Sequence, residues 1–332
     1  MASNQMKALV LTTHGSPLRI ERVERPKAAP GQVLVRVKAS GVNPLDLKIM
    51  KGQAAHAQHP LPAILGIDMA GVVEAVGADV ACVEQGDEVY GMTGGVGGVQ
   101  GSLAEFVAVD AMLLAPKPKR LAMREAAAVP LVFITAWEGL VDRASVRAGQ
   151  KVLVHGGAGG VGHMAVQLAR AFDAEVYATG SRKDKAYIEG LGAVFIEYGQ
   201  VAIADYVSAY TTGRGFDLVY DAVGGAVLDA SFNAVARFGH VVSALGWGTH
   251  ALAPLSFRAA SYSGVFTLLP LLTGEGRAHH GEILRQATEL IEAGKVTPRL
   301  DPRHFNFETI EQAHALVESR AAAGKVVIDV GD

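Results

Sequence analysis

A chain of 332 residues that is 50% hydrophobic can bury a sizeable core and is long enough for two domains. Its formal net charge of −3, with 19% charged residues, provides no basic footprint for nucleic acid and no polybasic patch for a membrane. The single cysteine, Cys82, excludes an internal disulfide and a thiolate zinc cluster. No apolar run is long enough to cross a bilayer, and the opening Met-Ala-Ser-Asn-Gln-Met is no signal peptide, so a cytoplasmic location is expected.

In chain order, Met6 to Thr12 and Val33 to Val37 carry the β-branched content of strands, separated by the proline-bearing stretch Glu24 to Gly31. Further strands are expected at Ala70 to Val76, Glu88 to Gly91 and Ala104 to Val109, so the first 125 residues read as a β domain. Met123 to Val129 reads as a helix stopped by Pro130, and Ile134 to Arg143 as a second. From Lys151 the order changes to strand and helix in alternation. Strands are expected at Lys151 to Val154, Glu175 to Thr179, Phe195-Ile196, Phe216 to Asp221, His240 to Leu245 and Gly264 to Leu268, with a helix at Asp184 to Leu191. Such alternation predicts a parallel sheet covered by helices on both faces. Helices at Gly281 to Ala293 and Ile310 to Glu318 and a strand at Lys325 to Val330 close the chain, and this tail is expected to return to the first domain.

The turn after Lys151–Val154 carries chemistry. Gly157, Gly159 and Gly162, with Gly160 and Val161 between them, satisfy G-x-G-x-x-G between a strand and a helix. The first glycine suits a tight bend, the second a close approach of backbone to a pyrophosphate, and the third helix–strand packing, with the anion on the amides of the helix N-terminus. The second strand ends without the acid that takes the ribose 2′-hydroxyl of NAD. Ser181, Arg182 and Lys183 follow instead, a hydroxyl and two cations suited to a 2′-phosphate, so NADPH is expected over NADH.

Several separate motifs then resemble one family along nearly the whole chain: Gly41-Val42-Asn43-Pro44-Leu45-Asp46, Leu65 to Gly71, Gly101 to Phe106, Thr135-Ala136-Trp137, His155 to Gly162, Asp221 to Gly224, and Glu318-Ser319-Arg320 before Gly324-Lys325. The sequence is similar to the medium-chain dehydrogenase/reductases, and within them to the zinc-free quinone oxidoreductases that include zeta-crystallin. The resemblance implies an α/β protein with a GroES-like β-rich catalytic domain (1–128 and 270–332), a Rossmann doubly wound parallel-sheet domain (129–269), and NADPH in the cleft. Zinc-dependent relatives carry a Cys at the position of Asn43, a Gly-His-Glu at Gly66-Ile67-Asp68, and four cysteines in the loop that here is Gly91 to Ser102. Those ligands are absent, so no metal is expected.

By the same resemblance Asn43 lies beside nicotinamide and substrate, and Thr135 near the carboxamide. Val223, Gly246, Phe266 and Leu268 line the ribose and nicotinamide, while Lys183, Tyr198 and Arg320 surround the adenosine phosphate. Asp46 and Lys48 stay without an assigned role. Without a metal to polarise a carbonyl, direct hydride transfer to an electron-poor acceptor is expected, with a quinone first and a conjugated enone or alkenal as the alternative. A non-enzymatic cofactor-binding role is a third reading. A homodimer is expected through the Rossmann sheet edge, at Gly264 to Leu268. A short-chain dehydrogenase is excluded because no tyrosine has a lysine four residues on.

Overall fold

The computed structural model describes residues 4–331. The chain divides into two compact units, Met1–Leu131 with Leu268–Asp332, and Val132–Thr267.

The first unit begins with β1 (Gln5–Leu11), β2 (Arg19–Glu24) and β3 (Gln32–Gly41), followed by α1 (Pro44–Met50). Next come β4 (Ala63–Ile64), β5 (Asp68–Val76), β6 (Glu88–Met92), β7 (Phe106–Asp110), β8 (Leu114–Pro116) and α2 (Met123–Ala127). Strands β2, β1 and β4 form a small antiparallel sheet. A larger antiparallel sheet runs β3-β5-β6-β8, with β7 beside β3. Alternation is clear in β1, where Met6 and Ala8 are buried and Gln5 and Lys7 are exposed.

Helix α3 (Pro130–Trp137) starts where the sequence reading placed a stop. Proline lacks the N–H that a first helical turn leaves unpaired, so Pro130 opens the helix instead of ending its predecessor. A π-helical turn, Glu138–Arg143, continues it. Gly139 lies under the Tyr220 ring, where a Cβ would sit 2.4 Å from a ring carbon.

The second unit is built on β9 (Lys151–His155), α4 (Gly160–Ala171), β10 (Glu175–Gly180), α5 (Lys185–Gly190), β11 (Val194–Glu197), α6 (Ile203–Thr211), β12 (Phe216–Asp221), α7 (Ala226–Ala234), β13 (Val235–Ser243), α8 (Ala253–Ser256) and β14 (Ser261–Gly264). Its six strands are all parallel in the order β11-β10-β9-β12-β13-β14. The order reverses between β9 and β12, and such a switch point opens a crevice beyond the carboxyl ends of the strands. An aromatic cluster of Tyr177, Tyr206, Phe216 and Phe232 fills one layer of the core. The last strand corrects the sequence reading: it is Ser261–Gly264, not Gly264 to Leu268, and residues 265–268 lead into α9 (Leu269–Thr273).

The tail then adds α10 (Arg277–Glu292), α11 (Ile310–Glu318) and β15 (Val327–Asp329) to the first unit. Strand β15 pairs antiparallel with β3, Val327 opposite Gly41. Tyr90 on β6 donates from its hydroxyl to the Leu284 carbonyl on α10 at 2.7 Å, so the tail is tied into that core by a buried hydrogen bond as well as by strand pairing.

Candidate active site

In the Val132–Thr267 unit, the carboxyl ends of four strands gather most of the residues expected to bind a cofactor. The bend after β9 falls at Gly156, whose φ of +75° is the left-handed one, so Gly156 and not Gly157 makes the tight turn. Gly157 is needed for packing, since a Cβ there would lie 2.6 Å from the Ala178 methyl on β10. Gly159 is the N-cap of α4, and Gly162 lies so close to the loop that a Cβ would meet the Gly156 oxygen at 2.0 Å. The first amide to bond back across the cap is that of His163, to the Gly159 carbonyl at 3.0 Å. The N–H groups of Gly160, Val161 and Gly162 precede it in the open first turn, the arrangement that receives a pyrophosphate.

Two polar clusters hold this loop. Thr179 Oγ1 accepts the Gly156 N–H at 3.1 Å and lies 3.2 Å from His155 Nδ1. Burial pushes the His155 imidazole down to about 4, so it is neutral at physiological pH. Asp221, fully buried at the end of β12, accepts the N–H groups of Val223 and Gly224 and the Ser243 hydroxyl. That carboxylate fixes the turn that presents Val223 beside Gly156.

At the end of β10, Ser181 donates both its amide and its hydroxyl to the Asp184 carboxylate, which closes a short 3-10 turn. Arg182 and Lys183 on that turn are exposed. The β10–β11 pairing brings exposed Tyr198 alongside, its N–H bonded to the Gly180 carbonyl at 3.1 Å. Gly246 lies against the Tyr262 hydroxyl, and Phe266 meets Trp247 edge-on at 6.1 Å. Thr135 Oγ1 is 3.1 Å from Thr267 Oγ1, which reaches Glu138 Oε2 at 2.8 Å, while the Tyr220 hydroxyl donates to the Thr135 carbonyl. Leu268 and Arg320 belong to the other unit, Leu268 buried and Arg320 exposed with φ +55°.

The first unit contains a buried charged cluster around Asn43. Its side chain is 1% exposed. Asn43 Oδ1 accepts from the Lys325 ammonium at 2.5 Å, and Asn43 Nδ2 donates to Asp68 Oδ2 at 2.9 Å. An ammonium can only donate and an ionised carboxylate only accept, so this pair of neighbours fixes which end of the amide is which. Lys325 also donates to the Val42 carbonyl at 3.1 Å and stands 3.8 Å from Asp68 Oδ2. Asp68 Oδ1 accepts the Leu131 N–H at 2.8 Å in the first turn of α3. Below it Ser102 donates to the Asp68 carbonyl and lies 2.7 Å from the Ser40 hydroxyl. Asp46 reaches back to the Asn43 N–H at 2.8 Å, leaving Oδ1 without a hydrogen bond of ordinary geometry.

Burial drives the titration of all three charges. It pushes Asp46 from the usual carboxylate range up to about 7, helped by the Asp68 charge and opposed by the Asn43 amide and the Lys325 ammonium. Burial also raises Asp68 and lowers Lys325, each opposed by the charge of the other. Lys48 points to solvent on α1.

Against known proteins, residues 29–119 match the family described as alcohol dehydrogenase GroES-like domain and residues 191–328 the one described as zinc-binding dehydrogenase. The chain is 37% identical to a 2-methylene-furan-3-one reductase of Solanum lycopersicum, covering 98% of this chain and 79% of that protein. The chain belongs to the zinc-independent medium-chain dehydrogenase/reductase superfamily. It is also 36% identical, over 98% of its length and 79% of the relative's, to an NADPH-dependent alkenal/one oxidoreductase, chloroplastic, of Arabidopsis thaliana. A solved alcohol dehydrogenase superfamily protein from Novosphingobium aromaticivorans shares 57% identity at a TM-score of 0.97, over 98% of this chain and all of that one.

Membership in this superfamily makes the chain an oxidoreductase with a GroES-like and a Rossmann-like part. Among the described residues, no group of three or more His, Cys, Asp or Glu could hold a metal ion, and no helix is long and apolar enough to cross a membrane. Asn43 and Asp68 together hold the Lys325 ammonium. The sequence reading named Asn43 but gave Asp68, Lys325, His155, Thr179 and Asp221 no role. Lys325 and Asp68 each interrupt an otherwise apolar strand-like run, which is the signal that could have singled them out.

Proposed function

We propose that this reductase transfers hydride from NADPH to the β-carbon of a conjugated enone or alkenal and yields the saturated carbonyl compound. The observation that carries the reading is the 36–37% identity, over nearly the whole chain, to two reductases whose names specify an activated enone or alkenal. NADPH would supply the hydride. The Gly156–Gly162 turn fits its pyrophosphate, because the close backbone approaches there leave no room for side chains and the first turn of α4 presents amides. Ser181, Arg182, Lys183 and Tyr198 are assigned to the 2′-phosphate, Val223, Gly246 and Phe266 to ribose and nicotinamide, and Thr135 to the carboxamide. A conjugated acceptor needs no metal: as hydride adds to the β-carbon the π electrons move to the carbonyl oxygen, and a proton from solvent completes the α-carbon.

Steady-state assays with NADPH on an enone, the matching saturated ketone and a quinone test this reading. Turnover of the enone to saturated ketone, with the ketone itself inert, is the expected result. Reduction confined to the quinone would return the reading to quinone reduction, and no turnover of any acceptor would leave cofactor binding alone.

Cofactor choice has its own test. Lys183→Ala should raise the KM for NADPH by roughly tenfold to a hundredfold and leave that for NADH nearly unchanged, since a charged hydrogen bond is worth about 1.5–3 kcal/mol. Lys185, already 3.8 Å from Glu189, is the comparison site. Equal losses with both cofactors, or a larger loss at Lys185, would move the phosphate contact away from Lys183.

A further inference from the structure

Asp221 is the last residue of β12 and is fully buried. Its carboxylate accepts the Val223 N–H at 3.0 Å, the Gly224 N–H at 3.0 and 3.2 Å, and the Ser243 hydroxyl at 2.7 Å. Ser243 is in turn the last residue of β13, and its oxygen accepts the Leu245 N–H at 3.0 Å. One carboxylate thus ties together the two turns that carry Val223 and Gly246.

None of these donors is a cation. The titratable groups within reach of the Asp221 charge are His155, Tyr220, Tyr262 and His250. Burial keeps His155 neutral and pushes both phenols up, and His250 is bonded to Asp229 at 2.8 Å. A buried charge with no ion-pair partner acts at longer range than a paired or solvated one.

The strand order says what this charge faces. The sheet reverses between β9 and β12, with the glycine turn after β9 and the Ser181–Lys183 group after β10 on one side of the switch point. A dinucleotide whose pyrophosphate and 2′-phosphate lie there has its nicotinamide half beyond β12 and β13. That is the half whose charge changes. When hydride leaves for the β-carbon of the acceptor with both bonding electrons, the ring passes from neutral to singly positive, and solvent supplies the proton that completes the product. A fixed anion nearby stabilises the oxidised ring more than the reduced one. Tying the turns requires only an acceptor and not a charge.

We propose that Asp221 does more than position these turns: its buried negative charge favours the oxidised cofactor, lowers the reduction potential of the bound couple and so makes NADPH a stronger hydride donor in this site. The inference rests on the reading of this unit as the NADPH site, and its test uses no acceptor.

Calorimetry is to give the Kd of NADPH, of NADP+ and of 2′-phospho-ADP-ribose, which lacks the nicotinamide, for the parent, Asp221→Asn and Ser243→Ala. Asp221→Asn removes the charge and keeps an oxygen for the turn amides. Its Kd for NADP+ should rise roughly tenfold more than its Kd for NADPH, while 2′-phospho-ADP-ribose binds as to the parent. A tenfold change in that ratio raises the potential of the bound couple by about 30 mV. Ser243→Ala takes a hydrogen bond from both turns and leaves the charge, so NADP+ and NADPH should weaken together and their ratio stay parental. Glu138, the other acid acting on Tyr220, is the same in every variant.

Equal weakening of NADP+ and NADPH in Asp221→Asn would make the carboxylate a tie for the turns and overturn the proposal. A ratio shifted as far by Ser243→Ala would do the same. Should Asp221→Asn not fold, Asp221→Ser, which leaves room for water to bond the amides, carries the same comparison, and failure of both to fold would make the residue structural. A parent that binds neither NADPH nor NADP+ overturns the cofactor reading and this proposal with it, whereas a parent that binds both, with a ratio unmoved by Asp221→Asn, overturns the proposal alone.

Discussion

Gly162→Ala is expected to remove most of the affinity for NADPH. A Cβ at this position would lie 2.0 Å from the Gly156 oxygen, 2.7 Å from its carbon and 3.1 Å from the Gly157 Cα, all of them backbone atoms of the loop itself. No side-chain rotation relieves such a contact, so the turn must move away from α4, and the amides that define the anion site move with it. Overpacking of this kind costs about 1–3 kcal/mol of stability. If a similar amount is lost from binding, the Kd for NADPH rises by roughly tenfold to a hundredfold. Gly190→Ala is the control, since nothing lies within 4 Å of a Cβ there and its φ is not left-handed. Fluorescence titration reads both variants. Parental affinity in Gly162→Ala would show that the loop does not receive the cofactor.

Asp46→Asn should make the protein more stable at pH 8 and leave it nearly unchanged at pH 4. The carboxyl is held up to about 7 in the fold against 3.8 when free, so the native state keeps its proton over a range where the unfolded chain has released it. The contribution of the neutral acid is therefore complete below about pH 4 and is lost as pH rises through about 7. An amide still offers an oxygen to the Asn43 N–H and carries no charge to be desolvated. The shift corresponds to about 4 kcal/mol as an upper bound, at 1.36 kcal/mol per pKa unit. Chemical denaturation at pH 4, 6 and 8 checks it. A stability difference that does not grow with pH would show that Asp46 titrates as an ordinary carboxylate.

The strands of the two larger sheets were legible where the chain is buried, because β-branched runs such as VLVRV and FDLVYD have no other good reading. The edge strand was not. Ser261–Gly264 is polar and mostly exposed, so it carries no hydrophobic signature, whereas Val265 to Leu268 looks like a strand and lies outside the sheet. Pro130 misled for a different reason: the same residue ends one helix or begins the next, and the deciding contact, Leu131 to Asp68, spans 63 positions.

The glycine loop was recognised from spacing, although the bend belongs to Gly156. Nothing in the sequence around Asn43 signalled the two buried charges that its side chain joins. Asn43 starts α1 with extended dihedrals, while its side chain is taken up by Asp68 and Lys325. Removing that amide would therefore unsettle two buried charges, so Asn43→Ala is expected to lower thermal stability. Asp68 reaches residues 43 and 46 through the pairing of β3 with β5, and Lys325 joins them because β15 returns to β3, which no local pattern announces.

The measurement that reaches the central claim most directly is the fate of the transferred hydrogen. With NADPH carrying deuterium at both C4 positions and an enone as acceptor, the product analysed by mass spectrometry and NMR should be the saturated ketone with one deuterium on the β-carbon and a solvent hydrogen on the α-carbon. Deuterium on the carbonyl carbon of an allylic alcohol, or none in the product, would contradict reduction of the carbon–carbon double bond.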